Sequence, residues 1–185
     1  MSVLTIIFDV DGVLLDSFEE NFETCTAIFL ALGLESPTRE FFAAHNHLGI
    51  FDTLRSVMDI RDAAHEREIR GTIDALDINP ASPASLAEGA ERVIPELAAI
   101  YPLGIVTGRL RAHIFSGALQ QLEPYFSAVV GYDDTARHKP HPEPLLLAAD
   151  RSGTPADSCV YIGDMPTDIE AAAAAGMRSI SHGPR

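Results

Sequence analysis

The stretch Val3-Leu-Thr-Ile-Ile-Phe-Asp9-Val-Asp11-Gly12 is a run of apolar and β-branched residues that ends in two carboxylates. A run of this kind predicts a strand, over Val3–Val10, that is buried on both faces as in a parallel sheet. Because residues i and i+2 of an extended chain point the same way, Asp9 and Asp11 would repel each other unless a cation compensates. The pair therefore predicts a site for a divalent metal ion, with a polar turn after the strand as the alternative.

Further apolar runs follow along the chain, and helical patterns separate them. The predicted strands are Leu103–Thr107, Ala128–Gly131, Cys159–Gly163 and Arg178–Ser181, and the predicted helices are Arg109–Leu122, Pro142–Asp150 and Pro166–Ala175. This alternation predicts an α/β fold with a doubly wound, Rossmann-like parallel sheet. Ligands of such folds bind at the carboxyl ends of the strands, which is where Asp9, Thr107 and Asp164 fall.

Residues 16–83 break the alternation, because this stretch carries helical patterns and no convincing strand. We predict a small all-helical domain here, inserted after the first strand, with residues 1–15 and 84–185 forming the α/β core. Four amphipathic helices can bury their apolar sides against one another. The helix predicted to return to the core, Ser85–Ala99, contains Pro95, which should kink it or delay its start.

The charge balance excludes several classes of partner. The chain has 13 Lys and Arg against 27 Asp and Glu, a formal net charge of −14. Nucleic acid and anionic membrane surfaces are therefore not expected as partners. The only two cysteines, Cys25 and Cys159, lie far apart in sequence, and no signal segment or long apolar span is evident. This usage is typical of a reducing compartment, so we expect a cytoplasmic protein.

Three more polar segments of the sequence could bind a metal ion or an anionic ligand. Asp164 and Asp168 are spaced i, i+4 across a predicted helix start, either as metal ligands or as partners of the helix dipole. Thr107-Gly108 ends a predicted strand, where a hydroxyl and main-chain N–H groups can bind phosphate, although such turns favour these residues anyway. Lys139 lies in a proline-rich loop and would ordinarily be a solvated side chain. A carboxylate-rich site suits Mg²⁺ better than Zn²⁺.

In their order and spacing these motifs resemble those of the haloacid dehalogenase-like hydrolases, and most closely the phosphoglycolate phosphatase-like branch with a helical cap. The resemblance implies that Asp9 is the nucleophile, which forms an aspartyl-phosphate. It implies that Asp11 protonates the leaving oxygen and then activates water. Thr107 and Gly108 would bind the phosphoryl oxygens, and Lys139 would steady both Asp9 and the phosphate.

The same resemblance implies a Mg²⁺ cofactor. Asp164 would bind the ion together with the side chain of Asp9 and the main-chain carbonyl of Asp11, and Asp168 would support the metal or Lys139. Charge neutralisation by the metal and the lysine is what attack of one anion on another requires.

The implied function is a Mg²⁺-dependent phosphatase that acts on a small phosphorylated metabolite, such as phosphoglycolate or a sugar phosphate. The presence of Asp11 favours this reading over the dehalogenase branch, which lacks the second acid. A phosphomutase resembling β-phosphoglucomutase is an alternative, in which the phosphoryl group passes to a second sugar hydroxyl. A non-catalytic regulatory or binding protein that kept the fold is an alternative of another class.

Substrate specificity should come from the helical domain, which can close over the site and exclude water. The candidate contacts there are Arg39, His45, His47 and Arg55, each of which would otherwise be an ordinary surface residue. The apolar side of a predicted helix over Phe18–Leu32 could pack internally or against a second chain, so both a monomer and a homodimer remain open.

Overall fold

A computed structural model of the chain describes residues 4–46, 48–78 and 80–182. Val3, where the predicted first strand begins, and the candidate residue His47 lie outside these ranges. The chain divides into two compact units, one of Met1–Ser17 with Ala84–Arg185 and one of Phe18–Pro83. Over the described ranges, no helix combines the length and the apolar character that crossing a bilayer would require.

The described part of the chain alternates between strands and helices as follows. The strands are β1 Thr5–Phe8, β2 Leu15–Asp16, β3 Ser85–Leu86, β4 Leu103–Val106, β5 Phe126–Val130, β6 Cys159–Gly163 and β7 Arg178–Ser181. The α-helices are α1 Phe18–Ala31, α2 Arg39–His45, α3 Ile50–Arg55, α4 Ala63–Asp74, α5 Ala90–Ala98, α6 Glu143–Ser152 and α7 Pro166–Ala174.

The first unit is built on a five-stranded sheet in the order β5-β4-β1-β6-β7, in which every pairing is parallel. The order reverses at β1, which lies between β4 and β6. Phe8, the last residue of β1, pairs with Ile105 of β4 and Ile162 of β6. This is the doubly wound α/β sheet that the sequence predicts, and that prediction is confirmed. Its switch point lies at the end of β1.

Both faces of the inner strands β1, β4 and β6 are buried, which explains why these strands read as continuous apolar runs, whereas the edge strand β7 is exposed. Neighbouring residues of β1 enter different cores, because successive side chains of a strand point to opposite faces. Phe8 packs with Ile94 of α5 and with Leu119. Ile7 packs on the other face with Leu145 of α6 and Ala171 of α7.

The helix that returns to the core begins later than Ser85, where the sequence placed its start. Ser85 and Leu86 form β3, which pairs antiparallel with Leu15 and Asp16 of β2. Asp16, assigned from sequence to the helical domain, is therefore a strand residue. Gly89 adopts a positive φ of 82°, and α5 starts immediately after it. Pro95 lies inside α5, so the later start is set by β3 and Gly89 and not by this proline.

The predicted helix over Arg109–Leu122 is wrong. Two 3₁₀ segments, Arg111–His113 and Gly117–Tyr125, occupy this stretch. Gly117 has a φ of +58°, which ends any α-helical run at that point. The buried Leu119 and Leu122 are three residues apart, the spacing that a 3₁₀ helix places on one side.

The second unit, Phe18–Pro83, contains four helices, α1 to α4, and has a core of its own. The buried side chains of that core are Cys25, Ile28, Phe29, Phe42, Phe51, Leu54 and Ile69. Two of its helices carry side-chain caps at their N-termini: the Thr38 hydroxyl accepts from Phe41 N–H, and the Asp62 carboxylate accepts from Ala64 and His65 N–H. Such caps satisfy main-chain donors that the first helical turn leaves without partners.

Candidate active site

Three adjacent strands of the sheet deliver polar side chains to one edge. Asp9 follows β1, Thr107 follows β4 and Asp164 follows β6. Because these strands are parallel and neighbours, their carboxyl ends meet at the same edge. Asp9, Thr107 and Asp164 therefore lie at the same edge of the sheet.

Asp9 is buried, and both of its carboxylate oxygens accept hydrogen bonds. Oδ1 accepts from the main-chain N–H of Val10 at 2.7 Å, and Oδ2 accepts from Lys139 Nζ at 2.9 Å. Burial raises the pKa of Asp9 to about 7, against the opposing effect of the Lys139 charge, which lowers it. Further positive charge near Asp9 would favour the ionised form that a nucleophile needs.

Lys139 has all three of its ammonium donors directed at protein oxygens. Nζ lies 2.6 Å from Asp168 Oδ1, 2.9 Å from Asp9 Oδ2 and 3.0 Å from the Tyr161 hydroxyl. Burial acts to lower the pKa of Lys139, but the charges of Asp9 and Asp168 and the contact with the Tyr161 hydroxyl outweigh it and raise that pKa well above its usual value. The side chain is therefore a fixed positive charge beside Asp9.

Asp168 is wholly buried in the first turn of α7. Oδ1 accepts from Lys139 and lies 3.3 Å from the Tyr161 hydroxyl, and Oδ2 accepts from the main-chain N–H of Met165 at 3.0 Å. Both oxygens are thus engaged by protein donors. Asp168 ties the start of α7 to Lys139.

Asp164 differs from Asp168 in having a buried carboxylate oxygen, Oδ1, for which the described residues offer no hydrogen-bond partner. Burial raises the pKa of this carboxyl. Gly12 approaches it closely, because a Cβ at that position would overlap Asp164 Oδ2. A buried oxygen without a donor is costly unless something outside the chain binds it.

The carboxylates of Asp9, Asp164 and Asp168 could together hold a metal ion. One oxygen from each lies within 4.8 Å of the others. Hard cations such as Mg²⁺ take carboxylate oxygens as ligands, and Asp164 Oδ1 is the oxygen that the protein itself leaves without a partner. The residues present therefore fit a divalent cation.

Thr107 and Gly108 line a small cavity together with Lys139, Tyr132 and His138. The hydroxyl of Thr107 accepts from the main-chain N–H of Arg109 at 3.2 Å, and its own N–H donates to Val130. The rings of Tyr132 and His138 stack, with centroids 3.8 Å apart. The two residues expected to bind phosphate and the lysine expected to assist them thus border one space.

Asp11 forms an ion pair with Arg109, a residue without a predicted role. Arg109 Nε lies 3.2 Å and 3.0 Å from the two oxygens of Asp11, and Nη2 lies 2.7 Å from Oδ1. In the sequence, Arg109 is only the first residue of the predicted helix Arg109–Leu122. The available signal was a lone arginine two residues beyond a candidate phosphate ligand in a strongly acidic chain.

Tyr161 is the second residue that sequence reasoning missed. It is wholly buried in β6, and its hydroxyl accepts from Lys139 and donates to the Val106 carbonyl at 3.1 Å. Burial raises the pKa of Tyr161 well above its usual value, so it stays a neutral donor. A phenol within a buried apolar strand was the signal for a polar contact.

The candidates of the helical unit have contacts of their own. Arg39 forms a bidentate ion pair with Glu19, in which both N–O distances are 2.6 Å. Arg55 pairs with Asp52 and Glu66. The ring of His45 stacks on Phe41 with centroids 4.1 Å apart. Each contact lies within the Phe18–Pro83 unit, and a substrate role for these side chains stays a prediction.

Comparison with known proteins gives concordant matches. A family model described as haloacid dehalogenase-like hydrolase matches residues 6–181. A phosphoglycolate phosphatase of Xanthomonas campestris pv. campestris is 34% identical over 180 residues, covering 95% of this chain and 81% of that protein. A phosphoglycolate phosphatase of Xylella fastidiosa is 34% identical over 182 residues, covering 95% and 78%.

Solved structures share the fold. The crystal structure of CbbY from Rhodobacter sphaeroides in complex with phosphate matches with a TM-score of 0.75 at 21% sequence identity. The match covers 99% of this chain and 87% of that one. At this level of identity the likeness concerns the fold alone.

Proposed function

Since the chain belongs to the haloacid dehalogenase-like hydrolases and is a phosphatase, we propose that it uses Mg²⁺ to hydrolyse a small phosphorylated metabolite through an aspartyl-phosphate. Phosphoglycolate and sugar phosphates are the candidate substrates. The observation that carries the proposal is Asp9, held by Lys139 on one side and placed beside the unpartnered oxygen of Asp164.

Asp9 and Asp164 are the side chains that would hold Mg²⁺, with the main-chain carbonyl of Asp11 as the third protein ligand implied by the family resemblance. Asp168 would support Lys139 instead, because its Oδ1 makes the shortest contact of the Lys139 ammonium, at 2.6 Å, and its Oδ2 is held by the main-chain N–H of Met165. When bound, the metal would neutralise charge on Asp9 and polarise the phosphoryl oxygens. The buried oxygen of Asp164 would then have a partner.

In the first step a carboxylate oxygen of Asp9 forms a bond to phosphorus while the bond from phosphorus to the ester oxygen breaks. Asp11 gives a proton to the departing oxygen, as general acid catalysis requires. Lys139 holds Asp9 in one orientation and offsets its charge, so that an anion can approach another anion. Thr107 and Gly108 supply the hydroxyl and the main-chain N–H for the phosphoryl oxygens.

In the second step water attacks the phosphorus of the aspartyl-phosphate, and its proton passes to Asp11. Inorganic phosphate forms and Asp9 is regenerated as a carboxylate. Splitting the reaction into two displacements replaces one difficult step with two easier ones.

The free, buried thiols of Cys25 and Cys159 support the cytoplasm as the place where this enzyme works.

The test is phosphate release by the purified full-length chain from p-nitrophenyl phosphate and a panel of phosphorylated acids and sugars. We expect activity with Mg²⁺, loss of activity with EDTA and recovery on adding Mg²⁺ back. Asp9→Asn should abolish turnover, whereas Asp157→Asn, at an exposed aspartate of the same unit, should leave it unchanged.

Trapping of labelled enzyme distinguishes hydrolysis through an aspartyl-phosphate from direct attack of water on the phosphate ester. Acid quenching of the enzyme with ³²P-labelled substrate should leave label on the wild-type chain and none on Asp9→Asn. Glucose 6-phosphate formed from glucose 1-phosphate would identify a mutase instead. No phosphate release from any ester, with the chain folded and Mg²⁺ present, would end the proposal.

A further inference from the structure

Asp134 is shared by two arginines that come from different parts of the chain. Its Oδ1 accepts from Arg151 Nη2 of α6 at 2.7 Å, and its Oδ2 lies 3.3 Å from Arg111 Nη1. Oδ2 also accepts from the main-chain N–H of Gly131 at 2.8 Å, and both arginines donate to the Val129 carbonyl of β5. We refer to Arg111, Asp134 and Arg151 as the Asp134 clamp.

The carboxylate at the centre of the clamp is shielded from water. The Asp134 side chain is 11% exposed, whereas Asp52 and Glu96, which also pair with arginines, are each 64% exposed. Burial acts to raise the pKa of Asp134, but hydrogen bonds from Arg151 and Gly131 and the charges of both arginines lower it to about 2. Exposed ion pairs contribute little to stability, whereas removing one partner of an enclosed pair is costly. The clamp is therefore a permanent ionic contact at neutral pH.

The clamp joins two loops that carry residues of the candidate site. Loop A, residues 107–113, follows β4 and begins with Thr107. Loop B, residues 131–139, follows β5 and ends with Lys139. One arginine of the clamp lies in loop A, its aspartate lies in loop B, and its second arginine lies in α6. The clamp therefore connects the loop of the threonine to the loop of the lysine.

Further contacts hold the same two loops together. Arg111 N–H of loop A donates to Asp133 Oδ1 at 2.7 Å, and Tyr132 N–H of loop B donates to the Arg109 carbonyl at 2.8 Å. A Cβ at Gly131 would lie 2.8 Å from the Arg111 nitrogen, so the loops leave no space for a side chain there. Because the loops touch where the clamp joins them, a shift of one would move the other.

One small cavity is lined by both loops. Loop A contributes Thr107 and Gly108 to its lining, and loop B contributes Tyr132, His138 and Lys139. The rings of Tyr132 and His138 stack, which ties the start of loop B to its end. The proposed function places a phosphoryl group among Thr107, Gly108 and Lys139. The width of that space therefore depends on how closely the two loops are held.

We propose that Asp134 is a positioning residue that holds Thr107 at the distance from Lys139 that a phosphoryl group requires. The inference rests on the proposed function and adds to it a residue that acts through Arg111 and loop A. A displacement of about 1 Å in a catalytic group can cost about 100-fold in rate, so this spacing matters. Lys139 has its own anchor in Asp168, so loop A is the side of the cavity that the clamp controls.

The experiment measures phosphate binding and Mg²⁺ binding separately in the full chain. Calorimetric titration of the protein with Mg²⁺ gives one affinity, and titration of the Mg²⁺-saturated protein with orthophosphate gives the other. Asp134→Asn should weaken orthophosphate binding by about 10-fold, the size expected for loss of a hydrogen bond to a charged group. Mg²⁺ affinity should stay within about 2-fold of wild type, as for distant independent sites. Asp9 and Asp164 follow β1 and β6, which the clamp does not contact.

A double-mutant cycle tests whether the effect of Asp134 runs through Thr107. Thr107→Val removes the hydroxyl that is proposed to contact a phosphoryl oxygen. In that background Asp134→Asn should weaken orthophosphate binding by less than about 3-fold, because two changes that act on one contact are not additive. An equal loss in both backgrounds would overturn the role of Asp134 in placing Thr107.

Two other variants separate positioning from folding. Arg111→Gln removes one half-exposed arm of the clamp and keeps the pair of Asp134 with Arg151, so it should weaken orthophosphate binding by a smaller factor. If Asp134→Asn does not fold, as judged by urea denaturation, this variant decides the question. Glu96→Gln is the matched acid-to-amide control, because Glu96 pairs with Arg92 on the exposed side of α5. It should keep both wild-type affinities.

The outcomes distinguish this inference from the proposed function. Unchanged orthophosphate affinity in both clamp variants would overturn the positioning role. Parallel losses of orthophosphate and Mg²⁺ affinity would also overturn it, because the clamp would then act only on the stability of the fold. In both cases hydrolysis of p-nitrophenyl phosphate by the wild type would leave the proposed function intact. A wild type that hydrolyses no phosphate ester would remove both.

Discussion

Lys139 Nζ lies 2.6 Å from Asp168 Oδ1, which is closer than the 2.9 Å that separates it from Asp9 Oδ2. Asp168 is wholly buried at the start of α7, and its second oxygen is fixed by Met165 N–H. The position of Lys139 is therefore fixed by the start of a helix, and from there its charge faces Asp9, the proposed nucleophile.

Asp168→Asn should lower kcat by about 100-fold, because Lys139 loses its closest anchor and small displacements of catalytic groups have effects of this size. The free energy of unfolding should fall by about 2 kcal/mol, the range for a hydrogen bond to a charged group. Steady-state kinetics and urea denaturation measure both. Glu170→Gln, an exposed change in the same helix, should alter neither.

Tyr161→Phe should lower kcat less than Asp168→Asn does, by up to about 10-fold. The change removes one acceptor from Lys139 and leaves the Val106 carbonyl without its donor, while the buried ring keeps its packing. A loss of about 1 kcal/mol in stability is expected. Tyr125→Phe, at a partly exposed tyrosine, is the control. Wild-type kinetics in Tyr161→Phe would show that this hydroxyl does not help to place the lysine.

Asp9→Asn should make the metal-free protein more stable at pH 8 while abolishing turnover. The pKa of Asp9 is raised from 3.8 to about 7 in the folded chain. Between those values the folded state holds a proton that the unfolded state has lost, so wild-type stability falls as the pH rises from about 4 to 7. The free energy of unfolding of Asp9→Asn should not fall in this way, because asparagine does not ionise.

Urea denaturation in EDTA at pH 4, 5, 6, 7 and 8 measures the difference in free energy of unfolding between Asp9→Asn and the wild type. The advantage of Asp9→Asn should grow by more than about 1 kcal/mol across the series, since one pKa unit corresponds to about 1.4 kcal/mol. Mg²⁺ should reduce the stability advantage of Asp9→Asn, because in the proposed function the cation binds the ionised Asp9 carboxylate of the wild type. A constant difference at every pH would contradict the raised pKa.

Gly12→Ala should reduce Mg²⁺ affinity and activity by at least about 100-fold. A Cβ at position 12 would overlap Asp164 Oδ2, and Gly12 also has a φ of +76°. Gly153→Ala is the matched control, because Gly153 has a φ of +66° with nothing within 4 Å of the added Cβ. Both changes should destabilise the fold by about 1 kcal/mol through backbone strain. Only the first should change the Mg²⁺ dependence of turnover, measured by titration.

Much of the fold could be predicted from local sequence. The inner strands β1, β4 and β6 coincide with apolar runs, because both of their faces are buried and leave little room for polar positions. The segment after Arg109 could not be predicted in this way. Its apolar residues suit a helix, but Gly117 has a φ of +58°, and the packing of Leu119 and Leu122 with Phe8 of the sheet is not something that periodicity reports.

The acidic residues of the candidate site could be predicted because Asp9 and Asp164 directly follow β1 and β6, and Asp11 and Asp168 lie in the same two motifs. Arg109 and Tyr161 could not, because their partners are distant in sequence. Arg109 contacts Asp11 across 98 positions, and the Tyr161 hydroxyl bonds to Val106 across 55. Only the parallel arrangement of β4, β1 and β6 brings these pairs together.

The central place of β1 has a consequence for how the polypeptide emerges from the ribosome. β1 is made first, yet its two neighbours in the sheet are β4 and β6. At about 5–20 residues per second, synthesis from β1 to β6 takes on the order of 10 s. During that time the Phe18–Pro83 unit has its complete sequence, whereas Ile7 and Phe8 still lack the partners that bury them. The apolar segment around Ile7 and Phe8 thus stays exposed on the nascent chain until β6 has been made. Holdase chaperones that shield such segments should therefore raise the yield of native protein.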